Sequence, residues 1–542
     1  MVWEILDQSK KTSWPSINIE KNYIQMSALV TDQFRILNAS NFVDSVQNSS
    51  NSYYVFVGLS NATSPSSGFG RSSSWNTSPP NPTDNTDYLN HYESTILFGK
   101  KITSANVRRV VRRIDWVSGT QYEMYRPDYS VINPAPTTGA MRLYDANYYV
   151  LNSDYKVYIC IDNGSSGIKT TGNASQVEPT FTDLEPSTLT DGYVWKYLYT
   201  VSPSDIIKFD SVEYITVPND WETSTDAQIS AVRENGNSYL NSNQIKKVYI
   251  QNRGNGYTLA SGQSCNIIGD GTGGTVSVEV TDSKITNVTV TSGGKGYTYA
   301  LVDLGTTANP GTYAELIPII PPSKGHGFDI YKELGADKIL IYARFDDSTK
   351  DFPIDSKFAQ VGILKNPTVY DSTGISTTLF TSNEFSGLYS IRLNPTPTGT
   401  VSIGDKIKQT VTGGVAVGYV ASYDSETQVL KYYRDRSLYY GGGGGNTNTD
   451  YVGISTKGKV LDFDSSSQIT TDTGFSATVN STFSGITTTI SNKIINLGVN
   501  FTNGLANPEI NNKSGDIIYI DNRPTVTRSS RQKEDVKIIL EF

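Results

Sequence analysis

The sequence contains very little cysteine and histidine. Cys160, Cys265, His91 and His326 are the whole supply in 542 residues. Two distant thiols cannot form a disulfide framework, and so few ligands disfavour a zinc site of the Cys/His type. The composition therefore predicts no metal centre, and the two thiols are compatible with assembly in a reducing cytosol.

Long apolar runs and strong basic charge are also missing. No segment approaches the ~20 apolar residues of a membrane-spanning helix. The opening segment MVWEILDQSKKTSW has acidic residues and lacks the apolar core of a secretory signal. Charged residues make up 18% of the chain and the net charge is −8, which disfavours broad binding to a phosphate backbone. We therefore predict neither a membrane nor a nucleic-acid partner.

The residues that are abundant are those of strands and turns. The chain has 35 tyrosines and 46 glycines, and short β-patterned runs follow one another along most of its length. A chain of this length exceeds one hydrophobic core. The sequence thus predicts a mainly β, multidomain sandwich or barrel scaffold with a few short helices and inserted β-modules. One of those helices is expected around 38–46, capped by Asn38 or Ser40.

The segment 103–116, TSANVRRVVRRIDW, supports two interpretations. Its apolar residues lie at helical spacing, at Val107, Val110, Val111 and Ile114. The opposite face of such a helix would carry Arg108, Arg109, Arg112 and Arg113. That face is either a basic surface for an acidic partner or a solvated face with local acids such as Asp115. A strand over 107–111 remains open as the alternative to the helix.

Two further patterns predict β-structure. Residues 245–258 align with residues 285–298 at an offset of 40, each pairing an alternating strand with a glycine turn that ends in Tyr-Thr. Between them GDGTGG at 269–274 is interpreted as a β-turn, because it lacks the Lys-Ser/Thr of a phosphate loop and leads into a strand. In DGYVWKYLYT at 191–200 the aromatic residues alternate, so they should share one face of a strand.

Catalytic and metal patterns are weak. His326 lies between two glycines, which favours a backbone constraint over acid–base chemistry, since no second catalytic group is evident nearby. The acidic residues in RFDDSTKDFPID at 344–355 have no calcium-loop spacing. We predict no catalytic, cofactor-binding or metal-binding residues and no cofactor.

Several ordered segments resemble one known family. They are ALVTDQFRILNASNFVDSV at 28–46, RRIDW at 112–116, DGYVWKYLYTVSP at 191–203, FAQVGILKNP at 358–367 and GDIIYIDNRPTVTRSSRQKEDVKIILEF at 515–542. Together they resemble the gene-eight baseplate wedge proteins of T-even-type contractile-tailed phages, in an extended form similar to that of cyanobacterial-virus tails.

The resemblance implies a non-enzymatic structural subunit of the virion. The family implies a homodimer within each wedge, contacts with other wedge proteins, a place in the tail baseplate and assembly in the host cytoplasm. The residues we select as candidates for interaction or scaffold roles are Arg108, Arg109, Arg112, Arg113, Trp116, Trp195 and Arg523. A tail receptor-binding, adhesin-like protein is the alternative, suggested by the tyrosines and the inserted modules, and a hydrolase is the third option.

The resemblance also suggests a division of the chain. We predict an N-terminal arm at 1–22, scaffold at 23–235, an inserted Gly-Tyr-Thr repeat module at 236–320, scaffold at 321–367, an inserted barrel or sandwich at 368–510 and C-terminal scaffold strands at 511–542. Because an inserted module carries its own core, the strand at 536–542 should pair with the N-terminal scaffold and not with the block before it.

Overall fold

The computed structural model describes residues 31–60, 74–84, 86–165, 171–305, 311–346, 357–372, 376–434, 461–528 and 533–542. The predicted arm at 1–22 and most of the acidic cluster at 346–355 lie outside these residues. The helices are α1 Asp32–Gln47, α2 Thr86–Ser94, α3 Pro203–Phe209, α4 Ala227–Gly236, α5 Ser238–Asn241 and α6 Ile330–Leu334.

Strands make up most of the regular structure. They are β1 Tyr53–Gly58, β2 Ile96–Ile102, β3 Val107–Arg112, β4 Tyr149–Leu151, β5 Lys156–Asp162, β6 Ser187–Thr188, β7 Val194–Thr200, β8 Tyr214–Val217, β9 Val248–Asn252, β10 Gln263–Gly269, β11 Thr272–Thr281, β12 Lys284–Lys295, β13 Ala300–Asp303, β14 Glu315–Pro318, β15 Lys338–Phe345, β16 Lys357–Lys365, β17 Glu384–Ser386, β18 Tyr389–Arg392, β19 Lys406–Val411, β20 Gly414–Asp424, β21 Val429–Tyr433, β22 Ile469–Thr471, β23 Ser476–Ala477, β24 Gly485–Ile490, β25 Lys493–Phe501, β26 Leu505–Ala506, β27 Asp516–Thr527 and β28 Glu534–Glu541. The predicted mainly β, multidomain fold is confirmed.

Two antiparallel sheets form the centre of the scaffold. One is five-stranded, in the order β17-β2-β1-β16-β27, and the other is four-stranded, in the order β28-β15-β3-β8. They share a hydrophobic cluster with α1, built mainly from valine, isoleucine and phenylalanine. Helix α1 confirms the expected helix, but it begins earlier, after Thr31, whose hydroxyl accepts a hydrogen bond from the amide of Phe34. The expected caps Asn38 and Ser40 lie inside it.

The C-terminal strand β28 pairs along its length with β15. Strand β15 in turn pairs with β3 of the N-terminal scaffold. The prediction of direct pairing with the N-terminal scaffold is therefore wrong by one strand, although the strand does avoid the block at 368–510. Strand β27 likewise pairs with β16, so both C-terminal strands join scaffold sheets.

The prediction of a helix over 103–116 is wrong. A single 3-10 turn at Ser104–Asn106 leads into β3. Strand β3 lies between β15 and β8 and exchanges hydrogen bonds with both. The run of branched valines suits a central strand, and pairing on both edges outweighs the helical spacing.

The Gly-Tyr-Thr repeat is visible in three dimensions. Strand β9 of the first copy pairs with β14, and β12 of the second copy pairs with β11. In each copy a tyrosine hydroxyl accepts a backbone N–H of the partner segment: Tyr257 from Ala314 at 2.6 Å and Tyr297 from Gly274 at 3.1 Å. Gly274 and Ala314 are themselves 40 residues apart. Each copy therefore packs against the segment that follows the other copy in the sequence.

The block at 368–510 has its own core on a seven-stranded sheet. It also contributes β17 to the five-stranded scaffold sheet, beside β2. Tyr419 and Tyr433 of this block lie in the scaffold cluster. The proposed domain boundaries stay a prediction, and these contacts are the ones on which a boundary at 368 depends.

Candidate functional site

The four arginines of the 108–113 run do not share one face. On strand β3 they alternate, and most of their donors bind inside the subunit. The Arg108 Nε lies 3.0 Å from both carboxylate oxygens of Asp205. Arg112 is exposed, and its Nη2 donates to the carbonyl oxygens of Asp145 and Ala146. Arg108 therefore binds helix α3, and Arg112 binds the segment that leads into β4.

The other two arginines make internal contacts of the same kind. Arg109 is buried, its Nη1 donates to the Asn219 carbonyl at 3.1 Å, and its guanidinium lies 4.1 Å from the ring centre of Tyr331. Arg113 makes ion pairs with Asp115 and Asp210. The interpretation with local acid partners thus describes the observed contacts, while a role in binding another molecule stays a prediction.

Trp195 lies at the centre of the largest core cluster. The cluster contains all four alternating aromatics of the segment 191–200, namely Tyr193, which precedes β7, and Trp195, Tyr197 and Tyr199 within it. Trp195 is fully buried, stacks on Tyr193 with ring centres 5.3 Å apart and meets Tyr122 edge-on. This position assigns Trp195 to the scaffold.

The two remaining candidates lie nearer the surface. Trp116 packs on the edge of the same cluster, and its indole N–H donates to the Ser175 hydroxyl at 3.1 Å. The Arg523 side chain is 63% exposed and pairs with Asp521 at 2.6 Å. The carbonyl of Arg523 accepts the indole N–H of Trp75 at 2.7 Å, which fastens β27 to the loop before α2.

A buried polar cluster is the feature that sequence reasoning missed. The imidazole Nδ1 of His326 lies 2.6 Å from a carboxylate oxygen of Glu333, and the other oxygen accepts the Gly327 N–H at 2.6 Å. Both side chains are almost wholly inaccessible to solvent. Gly325 and Gly327 have φ of +115° and +88°, so the expected backbone constraint around His326 is present.

Lys196 of β7 is the third buried polar group of this region. Sequence alternation placed it on the face opposite the aromatics, yet that face is buried too. Its Nζ donates to the Leu184 carbonyl and to the Asn235 side chain. Burial lowers the pKa of Lys196 to about 8, and Glu333 and Glu185 oppose that effect. No spacing pattern identifies such a group, since its partners come from distant parts of the chain.

Two open grooves flank the scaffold. The first has a volume of about 430 Å³ and is lined by mixed charges, among them Arg35, Arg112, Arg142, Glu213 and Glu541. The second has a volume of about 660 Å³ and lies where β7 ends and α3 and α4 begin. Its lining combines hydroxyls, tyrosines and carboxylates with Arg108 and the apolar side chains of Val201, Pro203 and Ile229. Neither groove is lined by a histidine or cysteine of the described residues.

Within the described ranges no group of three or more histidine, cysteine, aspartate or glutamate side chains is arranged to hold a metal ion. Within the same ranges no helix is long and apolar enough to cross a membrane. Cys160 and Cys265 are both buried and unpaired by disulfide.

Comparison with known proteins supports the predicted resemblance. No protein-family profile matches the chain. Among curated proteins, the chain is 27% identical over 228 residues to the baseplate wedge protein gp8 of Enterobacteria phage T4, and the match covers 35% of this chain and 60% of gp8. The sequence is similar to the gene-eight baseplate wedge proteins. The match spans less than two thirds of gp8, so the role of the whole relative does not transfer with it.

Proposed function

We propose that this protein is a structural subunit of the baseplate wedge of a contractile phage tail. It acts as a homodimer that links neighbouring wedge proteins, is located in the virion baseplate and is assembled in the host cytoplasm. The observation that carries this proposal is the similarity to gp8. The chain's additional length is assigned to modules carried on a wedge scaffold.

The internal contacts support a structural role over a catalytic one. The His326–Glu333 pair and Lys196 are the groups closest to catalytic chemistry, and all three are enclosed by protein. A catalytic acid or base must reach its substrate within hydrogen-bonding distance. Their partners are instead internal. Glu333 of α6 binds His326 and the Gly327 N–H, and Lys196 of β7 binds the Leu184 carbonyl and Asn235 of α4.

The sheets suit a subunit that keeps its shape while its neighbours change. The scaffold strands are held by antiparallel ladders, and the cluster with the aromatic residues of β7 also contains side chains of β3 and β8. Interfaces between such subunits draw on surfaces that remain stable when exposed. A homodimer of this kind is isologous and uses one patch of the subunit twice.

Cryo-electron microscopy of intact virions tests the proposal. Density for the chain is expected in the baseplate wedges, in two copies per wedge and in contact with other wedge proteins. A nonsense mutation in the gene should yield particles without complete baseplates. Density at the tip of a fibre in three copies, with glycan binding by the purified protein, would replace the wedge assignment with the adhesin.

Purified protein provides an independent check. Light scattering should give the mass of a dimer, and assays on host glycans and peptidoglycan should show no turnover. A stable trimer or a measurable hydrolytic rate that depends on His326 would contradict the proposal.

A further inference from the structure

Strand β28 leaves one edge of its sheet open. It is the terminal strand in the order β28-β15-β3-β8. Its eight residues pair with β15 in an unbroken register from Glu534 to Glu541. Within the described residues no strand pairs with its other edge. A long, regular edge without proline or bulge is a template for pairing with another strand.

The other long C-terminal edge strand is protected. The outer edge of β27 is covered by the loop before α2, because the Arg523 carbonyl accepts the Trp75 indole N–H and the Thr525 N–H donates to the Asn76 side chain. The ladder of β27 with β16 is also interrupted by two register shifts. Of these two C-terminal strands, β28 alone has an outer edge that no described segment covers.

The ladder fixes which backbone groups of β28 are free. The Phe542 N–H donates to the Asp337 carbonyl, which continues the register toward β15. Antiparallel ladders alternate, so every second residue directs its N–H and C=O to the same neighbour. The outward backbone groups therefore belong to Asp535, Lys537, Ile539 and Glu541.

We propose that β28 pairs with β28 of a second copy of this chain, antiparallel and centred on Ile539, and so joins two four-stranded sheets into one. This inference rests on the homodimer in the proposed function and assigns its interface. A twofold axis at Ile539 places Lys537 opposite Glu541 of the second copy, and the reverse pair forms by symmetry. Within the chain Glu541 lies 3.1 Å from Lys338 and Lys537 donates to the Asp210 carbonyl, so the pair between copies adds to these contacts. Ile539, which is 39% exposed, meets its own counterpart.

The inner face of the same register is complementary as well. It places Ile538 opposite Leu540 and Val536 opposite Phe542, so every pair on that face is apolar. Val536, Leu540 and Phe542 are only partly buried in the scaffold cluster. A sheet continued into the second copy would cover these three side chains, and the burial of their apolar surface favours that pairing.

Neighbouring registers are poorer. Centring on Lys537 places that cation opposite itself, and centring on Ile538 places Asp535 opposite Glu541. Like charges directly opposite each other destabilise a strand pair. Centring on Val536 gives an Asp535–Lys537 pair but sets the Glu534 carboxylate opposite the apolar Ile538. Only the register centred on Ile539 pairs unlike charges and apolar residues throughout.

A charge exchange tests the register in the full-length chain. Lys537→Glu and Glu541→Lys should each raise the dimer dissociation constant by roughly tenfold, because the twofold axis repeats each like-charge pair. The double variant should return to within about threefold of the parent, since it restores the pairs in reversed order. Lys493→Glu, the same charge change on the exposed strand β25, is the matched control and should leave dimerisation unchanged. Sedimentation velocity measures all four, and circular dichroism confirms folding.

Cross-linking provides a second readout that does not depend on charge. Ile539→Cys should give a covalent dimer with a short bismaleimide, because the two introduced thiols face each other across the axis. Lys493→Cys should not.

If the parent dimerises but both single charge variants dimerise equally well, the β28 interface is refuted while the homodimer is retained. The same conclusion follows if the double variant dimerises no better than the single variants. A parent that stays monomeric refutes the proposed homodimer itself.

Discussion

Strand β7 of the scaffold and strand β11 of the repeat module bury their side chains differently. In β7 five consecutive residues, 195–199, are buried, whereas in β11 the buried positions alternate through Gly274, Val276 and Val278. The module sheet has one face on its core and one in solvent, while β7 has the aromatic cluster on one side and α4 on the other. An alternating sequence therefore predicts a strand, but only its surroundings decide whether one face or both are dry.

The largest expected effect tests the aromatic side of β7. Trp195→Ala should lower the free energy of unfolding by about 3–5 kcal/mol, because it removes a fully buried indole and leaves a cavity between Tyr193 and Tyr122. Trp116→Ala, at the edge of the same cluster, should cost clearly less. Chemical denaturation measures both. A loss under about 1 kcal/mol for Trp195→Ala would mean that the cluster does not stabilise the scaffold.

The next effect tests the opposite side of the strand through pH. Burial lowers the pKa of Lys196 to about 8, below its value in the unfolded chain, so between pH 8 and about 10.5 the unfolded state holds more protons and stability rises with pH. Below pH 8 the cost of burying the ammonium is present in full. The gain across that window is roughly 3 kcal/mol, at about 1.4 kcal/mol per pH unit.

Lys196→Met removes this titration. The difference in unfolding free energy between parent and variant should therefore change across pH 8–10.5 in the parent's favour, and it should be constant between pH 6 and 7. Taking the difference cancels the tyrosines, which titrate in both proteins. A difference that is flat over the whole range would show that Lys196 is solvated in solution.

The sequence predicts the features that neighbouring residues decide, and it does not predict those that depend on contacts between distant parts of the chain. The alternation in DGYVWKYLYT predicts β7 correctly, since local geometry decides it. The glycine turns are predicted less well, because Gly294 lies inside β12 and β11 already begins at Thr272. The arginine run at 108–113 misleads because valines at helical spacing are equally suited to a strand paired on both edges. Lys196 and Glu333 could not be predicted, since their burial depends on α4 and on the loop at 325–327, which the fold alone brings together.

A smaller effect tests the module. Tyr297→Phe should cost about 1–3 kcal/mol, because its hydroxyl accepts from the Gly274 N–H and donates to the Ile267 carbonyl, leaving a buried donor and acceptor without a partner. Tyr257→Phe, at the equivalent place in the other copy, loses the bond from Ala314 and should cost about 1 kcal/mol. Thermal unfolding of the two variants gives the ranking. Equal or inverted losses would mean that the additional hydrogen bond of the Tyr297 hydroxyl to the Ile267 carbonyl does not add stability.

The smallest predicted effect comes from comparing a partly buried ion pair of the scaffold with an exposed one. Arg108 and Asp205 are 21% and 10% exposed, and the Arg108 Nε binds both carboxylate oxygens. Arg108→Ala should therefore cost about 1–2 kcal/mol, since it leaves a largely buried carboxylate without its partner. Arg523→Ala removes an exposed pair with Asp521 and should cost less than about 0.5 kcal/mol. Urea unfolding at low and high salt distinguishes them, because salt screens only the exposed pair strongly. If salt abolishes the Arg108 effect as well, the Arg108–Asp205 pair behaves as a surface pair and β3 is more open to solvent than its contacts indicate.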